Sequence, residues 1–370
     1  MERTMQSRTF EVVVLGSGIA GLTAAATAAR QGLRVALVAT GPGSIALGAG
    51  WLKAESPSSS SEAPELSEAM AFFCELTRLA GCPLAGDFDH PRPMPNYLGS
   101  WESVAFAPQR LWSAAADEKV STAIVGIRGL SIFDESFMAE RLNERVRVAG
   151  SPYSYTARQI SLRHDFGIPA TVLQIATCFD RDAAFRAELI DTLRHAASGF
   201  ERILLPGILG LHSSDWLLAQ FEAELGCSVC EIPTLPPSIL GLRLFHRLQS
   251  YLHSSGVELF AGFPVHSLPL RQGMCIGVDI TAPGHPLTLH GESVVLATGR
   301  RSAPLLAETI AGCDAQMRPL DATGAVIAQN LFLAGTLAHS GGGHSADTMR
   351  ILSGYRAGKL AATTRGAYAS

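Results

Sequence analysis

The stretch Glu11-Val-Val-Val-Leu15-Gly16-Ser-Gly18-Ile-Ala-Gly21-Leu-Thr-Ala-Ala-Ala-Thr-Ala-Ala-Arg30 decides how this chain folds. The apolar run Val12 to Leu15 reads as a buried strand, and it stops at Gly16-x-Gly18-x-x-Gly21. Small, helix-forming residues follow. Gln31-Gly32 then separates them from a second apolar run, Arg34-Val-Ala-Leu-Val38. Strand, tight turn, helix and strand in this order make a dinucleotide-binding unit. Gly16 permits the tight turn, Gly18 lets backbone approach a pyrophosphate, and Gly21 lets helix and strand pack closely. The helix start, with Ser17 and Ala20 beside these glycines, offers free N–H groups and a positive dipole end to phosphate. A phosphate-free glycine-rich turn is the plainer alternative. An acidic residue normally ends the second strand and holds the adenosine ribose. Here that strand ends Val38-Ala39-Thr40-Gly41, without Asp or Glu. The phosphate cradle is complete and the ribose anchor is missing.

The 370 residues suffice for two domains, or for one with a large insertion. With 47% hydrophobic and 17% charged residues and 36 Gly, the chain suits a well-buried α/β protein with many tight turns. A net charge of −4 points away from nucleic acid and anionic lipid. Seven Cys without scaffold spacing read as reduced cytosolic thiols rather than a disulfide framework. Met1 to Phe10 is polar and runs straight into a strand, so it does not read as a signal peptide. Three Gly and Ser17 interrupt Val12 to Ala29, so no membrane span is expected there.

Outward from the opening unit, Glu55 to Glu65 is rich in Ser and Pro and reads as a loop, and Pro64 to Ala80 has helical spacing. Gly81 to Trp101, dense in Pro and Gly, is expected to be irregular. A second alternation of strands and helices then begins. Strands are expected at Thr122 to Ile127, Ala170 to Ile175 and Arg202 to Gly207. Helices are expected at Asp134 to Val146, Asp180 to Ala197 and Asp215 to Leu225. The prolines of Glu231 to Arg243 exclude a helix interior or a central strand there. Helical spacing returns over Leu240 to Ser254, and a strand follows at Val257 to Phe260. An antiparallel meander is expected from Val265 to Leu289, an apolar run closed by Thr-Gly at Ser293 to Gly299, and a strand at Asn330 to Thr336. The glycine run Gly341 to Gly343 leads into a helix, Thr348 to Thr363.

The fold expected is therefore α/β: a Rossmann-like flavin-binding domain with a large inserted α/β domain. The flavin domain is assigned to residues 8–60 and 236–370, and the insert to 61–235. The Gly16 turn, the closing strand before Gly299 and the late strand before Gly335 occur in this order in flavoproteins of the two-dinucleotide fold. The last helix there brings its positive end to the ring. That set favours a flavin over NAD.

The chain resembles the B-subunit family of anaerobic glycerol-3-phosphate dehydrogenase. The most specific match is Leu235-Pro-Pro-Ser-Ile-Leu-Gly-Leu-Arg-Leu244, preceded by Cys227-Ser-Val-Cys-Glu-Ile-Pro-Thr. Val125-Gly-Ile-Arg-Gly-Leu-Ser-Ile-Phe-Asp134, Leu98-Gly-Ser-Trp101 and Asn330-Leu-Phe-Leu-Ala-Gly335 support it. The sequence departs from the family between Arg301 and Ala328, which is short, and at His339-Ser-Gly-Gly-Gly-His344. The resemblance implies a flavin, FAD with FMN as the alternative, and oxidation of glycerol 3-phosphate to dihydroxyacetone phosphate. Electrons would pass through partners to a quinone: a second flavoprotein subunit and an iron–sulfur, membrane-anchoring subunit. It implies a cytoplasmic protein, attached peripherally to the inner membrane face through a partner. A structural or electron-relay subunit with weak or lost flavin binding is the second reading, and an NAD(P)H-dependent flavin reductase the third. The third reading needs a second nucleotide cradle, and Gly126-x-x-Gly129 lacks the full fingerprint.

Candidate cofactor contacts beyond the first turn are Ser44, Gly48 and Gly50 after the second strand, Thr298 and Gly299, Gly335 and Thr336, and Gly343. His339 and His344 are candidate acids or bases, although a lone His is more often a hydrogen-bonded surface residue. Arg243, Arg300 and Arg350 are candidates for an anionic substrate, with salt bridges the plainer account. Cys227-x-x-Cys230 lacks the further ligands of a cluster, so no metal is expected and buried thiols are the better reading.

Overall fold

The computed structural model describes residues 6–54, 63–115, 119–150, 153–213, 215–282, 285–299, 310–338 and 347–364. These divide into two compact units. One comprises the described residues of Met1–Ser44, Pro57–Ala80 and Leu248–Ser370; the other those of Ile45–Ser56 and Gly81–Arg247. The expected division puts 45–60 with the flavin domain and 61–80 with the insert. In the structure, helix Ala63–Leu79 belongs instead with the first unit. It packs on helix Asp347–Thr363, where Phe72 lies 5.2 Å from the Tyr355 ring and Arg356 pairs with Glu65 at 2.8 Å.

The first unit is built on a seven-stranded sheet. Strands Glu258–Ala261, Val35–Ala39, Gln6–Leu15 and His285–Leu296 lie side by side in parallel. The long strand His285–Leu296 changes neighbours along its length. Its first half pairs antiparallel with Gly277–Ala282, and its end, Val294 to Leu296, pairs parallel with Leu331–Leu333. Helix Ile19–Arg30 crosses from the first strand toward the second, and Ile19 to Ala28 are all buried. A helix apolar all round suits an element covered on both sides. Its two threonines are satisfied internally, with Thr23 Oγ1 donating to Ile19 O at 2.7 Å and Thr27 Oγ1 to Thr23 O at 2.8 Å.

The second unit holds a four-stranded parallel sheet in the order Ser228–Ile232, Arg202–Pro206, Thr122–Ile127, Tyr155–Ile160. A smaller antiparallel sheet is centred on Trp101–Pro108. Three expectations are corrected here. Ala170 to Ile175, expected as a strand, opens a helix, Val172–Arg181, because Thr171 and Gln174 form a reciprocal capping box. The long helix expected from Asp180 breaks at Asp182, whose side chain caps a new helix, Ala183–Ala197. The proline-rich stretch Gly81 to Trp101 contains strands Leu84–Gly86 and Arg92–Pro95, both paired with Trp101–Pro108. Prolines 93 and 95 are tolerated because their strand pairs on one side only. Strand Tyr155–Ile160 lies outside the expected set: it sits at a sheet edge, and its exposed Arg158 and Gln159 hide the pattern.

Candidate functional site

The sequence places the Gly16 turn where the first strand ends, and sterics fix its shape. Gly16 has φ +106°, and its N–H donates to Val38 O at 2.7 Å. A Cβ on Gly16 would lie 2.4 Å from Ala297 O, and one on Gly21 would lie 1.8 Å from Gly16 O. No side chain larger than hydrogen fits at either position. Gly18 differs. It caps the helix with φ −69° and ψ 175°, and a Cβ there would meet nothing within 4 Å. The one open glycine of the three therefore stands at the helix N-terminus, where the first turn's N–H groups have no intrahelical partner. The same turn is closed from the side by the loop after the second strand. Ser17 Oγ donates to Gly41 O at 2.7 Å, and a Cβ on Gly43 would lie 2.6 Å from Gly18 Cα. A cradle of backbone N–H groups beside open space fits a pyrophosphate.

Chain segments distant in sequence gather at this turn. Gly335 has φ +69°, donates its N–H to Ser353 Oγ at 2.9 Å, and would carry a Cβ 3.3 Å from that of Ala20. Gly299, at φ +70°, would carry a Cβ 3.7 Å from Thr336 Oγ1. The structure thus brings Gly16, Ser17, Gly18, Ala20, Gly21, Gly335 and Thr336 together, with Gly299 beside Thr336. Thr298 precedes Gly299 after the strand that pairs with the first one. The ribose anchor remains absent: Ala39 ends its strand and Thr40 is exposed. The carboxylates on the two flanking strands are engaged before the strand ends, Glu11 with Arg34 N–H at 2.8 Å and Glu258 with Arg8 at 2.7 Å.

Other expected contacts have different surroundings. Ser44 is exposed and opens a short turn, Ser44–Leu47. Gly48 and Gly50 belong to the second unit, where Gly50 and Gly241 let two backbones meet. A Cβ on Gly50 would lie 2.9 Å from Leu240 O, and one on Gly241 would lie 2.5 Å from Gly48 O. Gly343, His339, His344 and Arg300 lie outside the described residues.

Arg243 is held in an ion pair. Its Nη1 lies 2.7 Å from Glu231 Oε2, and Nε and Nη2 both donate to Gly210 O. Glu231 Oε1 also accepts from the N–H groups of Ile208 and Leu209. Burial works against the charge of Arg243, but neighbouring Glu231 outweighs it and raises the guanidinium above its ordinary value. The weak catalytic candidacy of Arg243 therefore gives way to a structural role, since its charge is already neutralised. Arg350 likewise pairs with Asp347. Cys227 and Cys230 are free thiols, and burial raises both, so neither offers a ready thiolate.

Two contributors escape a reading of the sequence. Ser353 orders Gly335, and Gly354 brings the last helix against the cradle helix: a Cβ on Gly354 would lie 2.3 Å from Ala20 O. The spacing Gly354-x-x-x-Gly358 is the available signal, because Gly358 meets Ala24 in the same way, at 2.7 Å.

Residues 11–70 match a family model described as an FAD binding domain. Proteins named as the B subunit of anaerobic glycerol-3-phosphate dehydrogenase are related to the chain. The one from Actinobacillus pleuropneumoniae is 27% identical over 290 residues, 68% of this chain and 66% of that protein. A "probable" B subunit from Halobacterium salinarum is 25% identical over 322 residues, 78% of this chain and 74% of that one. The chain thus spans just under two thirds of the first of these relatives. Among solved structures, glycine oxidase from Bacillus cereus aligns with a TM-score of 0.33 and 14% identity, over 81% of this chain and 58% of that one. L-proline dehydrogenase from P. horikoshii aligns at 0.35 and 12%, over 82% and 55%. The resemblance to the B-subunit family is borne out by the relatives, and the cofactor is FAD. The chain is a homologue of flavoprotein oxidoreductase subunits. Among the described residues, no helix is long and apolar enough to cross a membrane.

Proposed function

We propose, on the premise that the chain is an FAD-binding homologue of the B-subunit family of anaerobic glycerol-3-phosphate dehydrogenases, that it is a flavin-dependent dehydrogenase subunit. It oxidises glycerol 3-phosphate to dihydroxyacetone phosphate. The electrons leave for a quinone through a second flavoprotein subunit and an iron–sulfur, membrane-anchoring subunit. The observation that carries the reading is the open side of Gly18, at a helix N-terminus whose other two glycines are closed by backbone. When bound, the flavin supplies a two-electron acceptor for alcohol oxidation. The turn residues Ser17, Gly18 and Ala20 hold its phosphates, and Gly335 and Thr336 stand beside them. Thr298, Gly299, Ser44 and Gly343 complete the proposed set of cofactor contacts. His339 and His344 are the candidates for taking the alcohol proton. The whole operates at the inner membrane face, held there by its partners.

A second reading is favoured by Ala39 and Thr40, which stand where the ribose carboxylate belongs. It makes the chain a structural or electron-relay subunit with weak flavin binding. The test is the chain purified with its co-expressed partner subunits, its cofactor extracted and identified by mass, and glycerol 3-phosphate and NADH compared as donors to a soluble quinone. One FAD per chain and glycerol 3-phosphate oxidation are expected. If no FAD is retained after reconstitution, the reading fails. If FAD is present but neither donor reduces it, the relay reading replaces it.

A further inference from the structure

Three side chains in the second unit converge outside any place the cofactor uses. His164, Cys178 and Asp182 each present one ligand atom, and these atoms lie within 4.8 Å of one another. Their meeting follows from local structure. Cys178 sits in the last turn of helix Val172–Arg181, and Asp182 caps its end, donating its N–H to Cys178 O at 2.8 Å. His164 comes from the turn between strand Tyr155–Ile160 and that helix, with its Nε2 3.8 Å from Cys178 Sγ.

The three groups are held rather than loose. The His164 ring lies tilted against Phe166 at 4.4 Å and meets buried Phe185 edge-on at 5.6 Å. The backbone N–H of Arg163, next to it, donates to the Glu188 carboxylate. Asp182 Oδ1 accepts from Ala184 N–H at 2.8 Å and Phe185 N–H at 3.2 Å, which fixes the carboxylate and leaves Oδ2 out of those two bonds. Cys178 is partly buried.

We propose that His164, Cys178 and Asp182 bind a divalent cation of the zinc class, with solvent in the fourth position. The donor set of one thiolate, one imidazole and one carboxylate suits zinc better than calcium or magnesium, which take oxygen ligands. Zinc–sulfur and zinc–nitrogen bonds of about 2.3 and 2.0 Å at a tetrahedral angle put the two ligand atoms about 3.5 Å apart. The 3.8 Å between Nε2 and Sγ lies close to this, and the set as a whole, whose atoms lie within 4.8 Å of one another, closes by about 1 Å at most on binding. The thiol proton leaves to solvent as the metal–sulfur bond forms. The ion ties the turn carrying His164 to the junction between two helices, at the point where Asp182 breaks them apart.

The test uses the full chain, reduced, treated with chelator and dialysed against trace zinc, with bound metal measured by elemental analysis. Cobalt(II) difference spectra serve as the second probe, since a thiolate ligand adds a charge-transfer band. The expected result is one equivalent of zinc and a thiolate–cobalt band. Cys178→Ser and His164→Ala lose both, Asp182→Asn weakens binding, and Cys227→Ser leaves binding unchanged. Far-UV circular dichroism checks that each variant remains folded. The proposal is overturned if the folded wild-type chain takes up no zinc, or if Cys178→Ser retains the metal and the thiolate band. Neither readout depends on flavin or on glycerol 3-phosphate, so this site and the proposed activity fail or stand separately.

Discussion

At the scale of single residues, the three glycines of the first turn divide into structural and functional positions, and the division is measurable. Gly16→Ala forces a side chain to φ +106° and to within 2.4 Å of Ala297 O. A loss of at least about 2 kcal/mol in the cofactor-free protein is expected, read by denaturant unfolding. Gly18→Ala meets no protein atom within 4 Å and keeps φ at −69°. Its cost to the cofactor-free fold stays under about 1 kcal/mol. FAD affinity should nevertheless fall at least about tenfold, or about 1.4 kcal/mol, because the added methyl occupies the nucleotide's space. Unchanged FAD titration in Gly18→Ala would show that no phosphate lies there. The glycine spacing is legible in the sequence because each position answers to local geometry. Arg243 is not: nothing in its neighbourhood of sequence announces that Glu231 and Gly210 O already claim it.

At the scale of elements, the last helix and the first are pressed together through glycine. Gly354→Ala places a methyl 2.3 Å from Ala20 O, where backbone cannot yield cheaply, and overpacking of this kind costs about 1–3 kcal/mol. Because the same helix carries Ser353, which orders Gly335, the variant should lose FAD affinity as well as thermal stability. Loss of neither would mean that the crossing is looser than described. On its other side this helix meets Ala63–Leu79, where Tyr355 Oη donates to Glu68 Oε1 at 2.7 Å. Burial first, and then Glu68, push the Tyr355 phenol from 10 up to about 12. A raised folded value means the neutral phenol is favoured in the fold. Its contribution is complete below pH 10 and is lost as pH rises toward 12. Tyr355→Phe should therefore be less stable than wild type at neutral pH, with the gap closing across that window in denaturant midpoints. A constant gap would argue against the phenol's role. The elements that the sequence misassigns have competing local signals. Ala170 to Ile175 has an apolar strand-like composition, but the Thr171–Gln174 box supplies two hydrogen bonds that start a helix.

At the scale of the whole molecule, segments far apart in sequence are legible as parts of one nucleotide-binding architecture, because each carries an apolar run closed by glycine. The grouping of helix Ala63–Leu79 with the first unit is not legible, since its amphipathic spacing says that it packs but not against what. The same holds for His164, whose approach to Cys178 and Asp182 depends on the path of a turn and on two phenylalanine rings. The strand–glycine turn–helix–strand unit and the missing carboxylate at Ala39 and Thr40 are written in the sequence, and the later apolar runs closed by Gly299 and Gly335 add the flavin class of cofactor. These rest on steric and hydrogen-bonding rules that act over a few residues. Packing settled which glycine faces open space, which arginine is spent in an ion pair, and which remote residues close around the turn. Those outcomes depend on contacts that local rules do not encode, from Arg243 on Glu231 across a strand and a proline-rich turn to Gly354 against Ala20 across most of the chain.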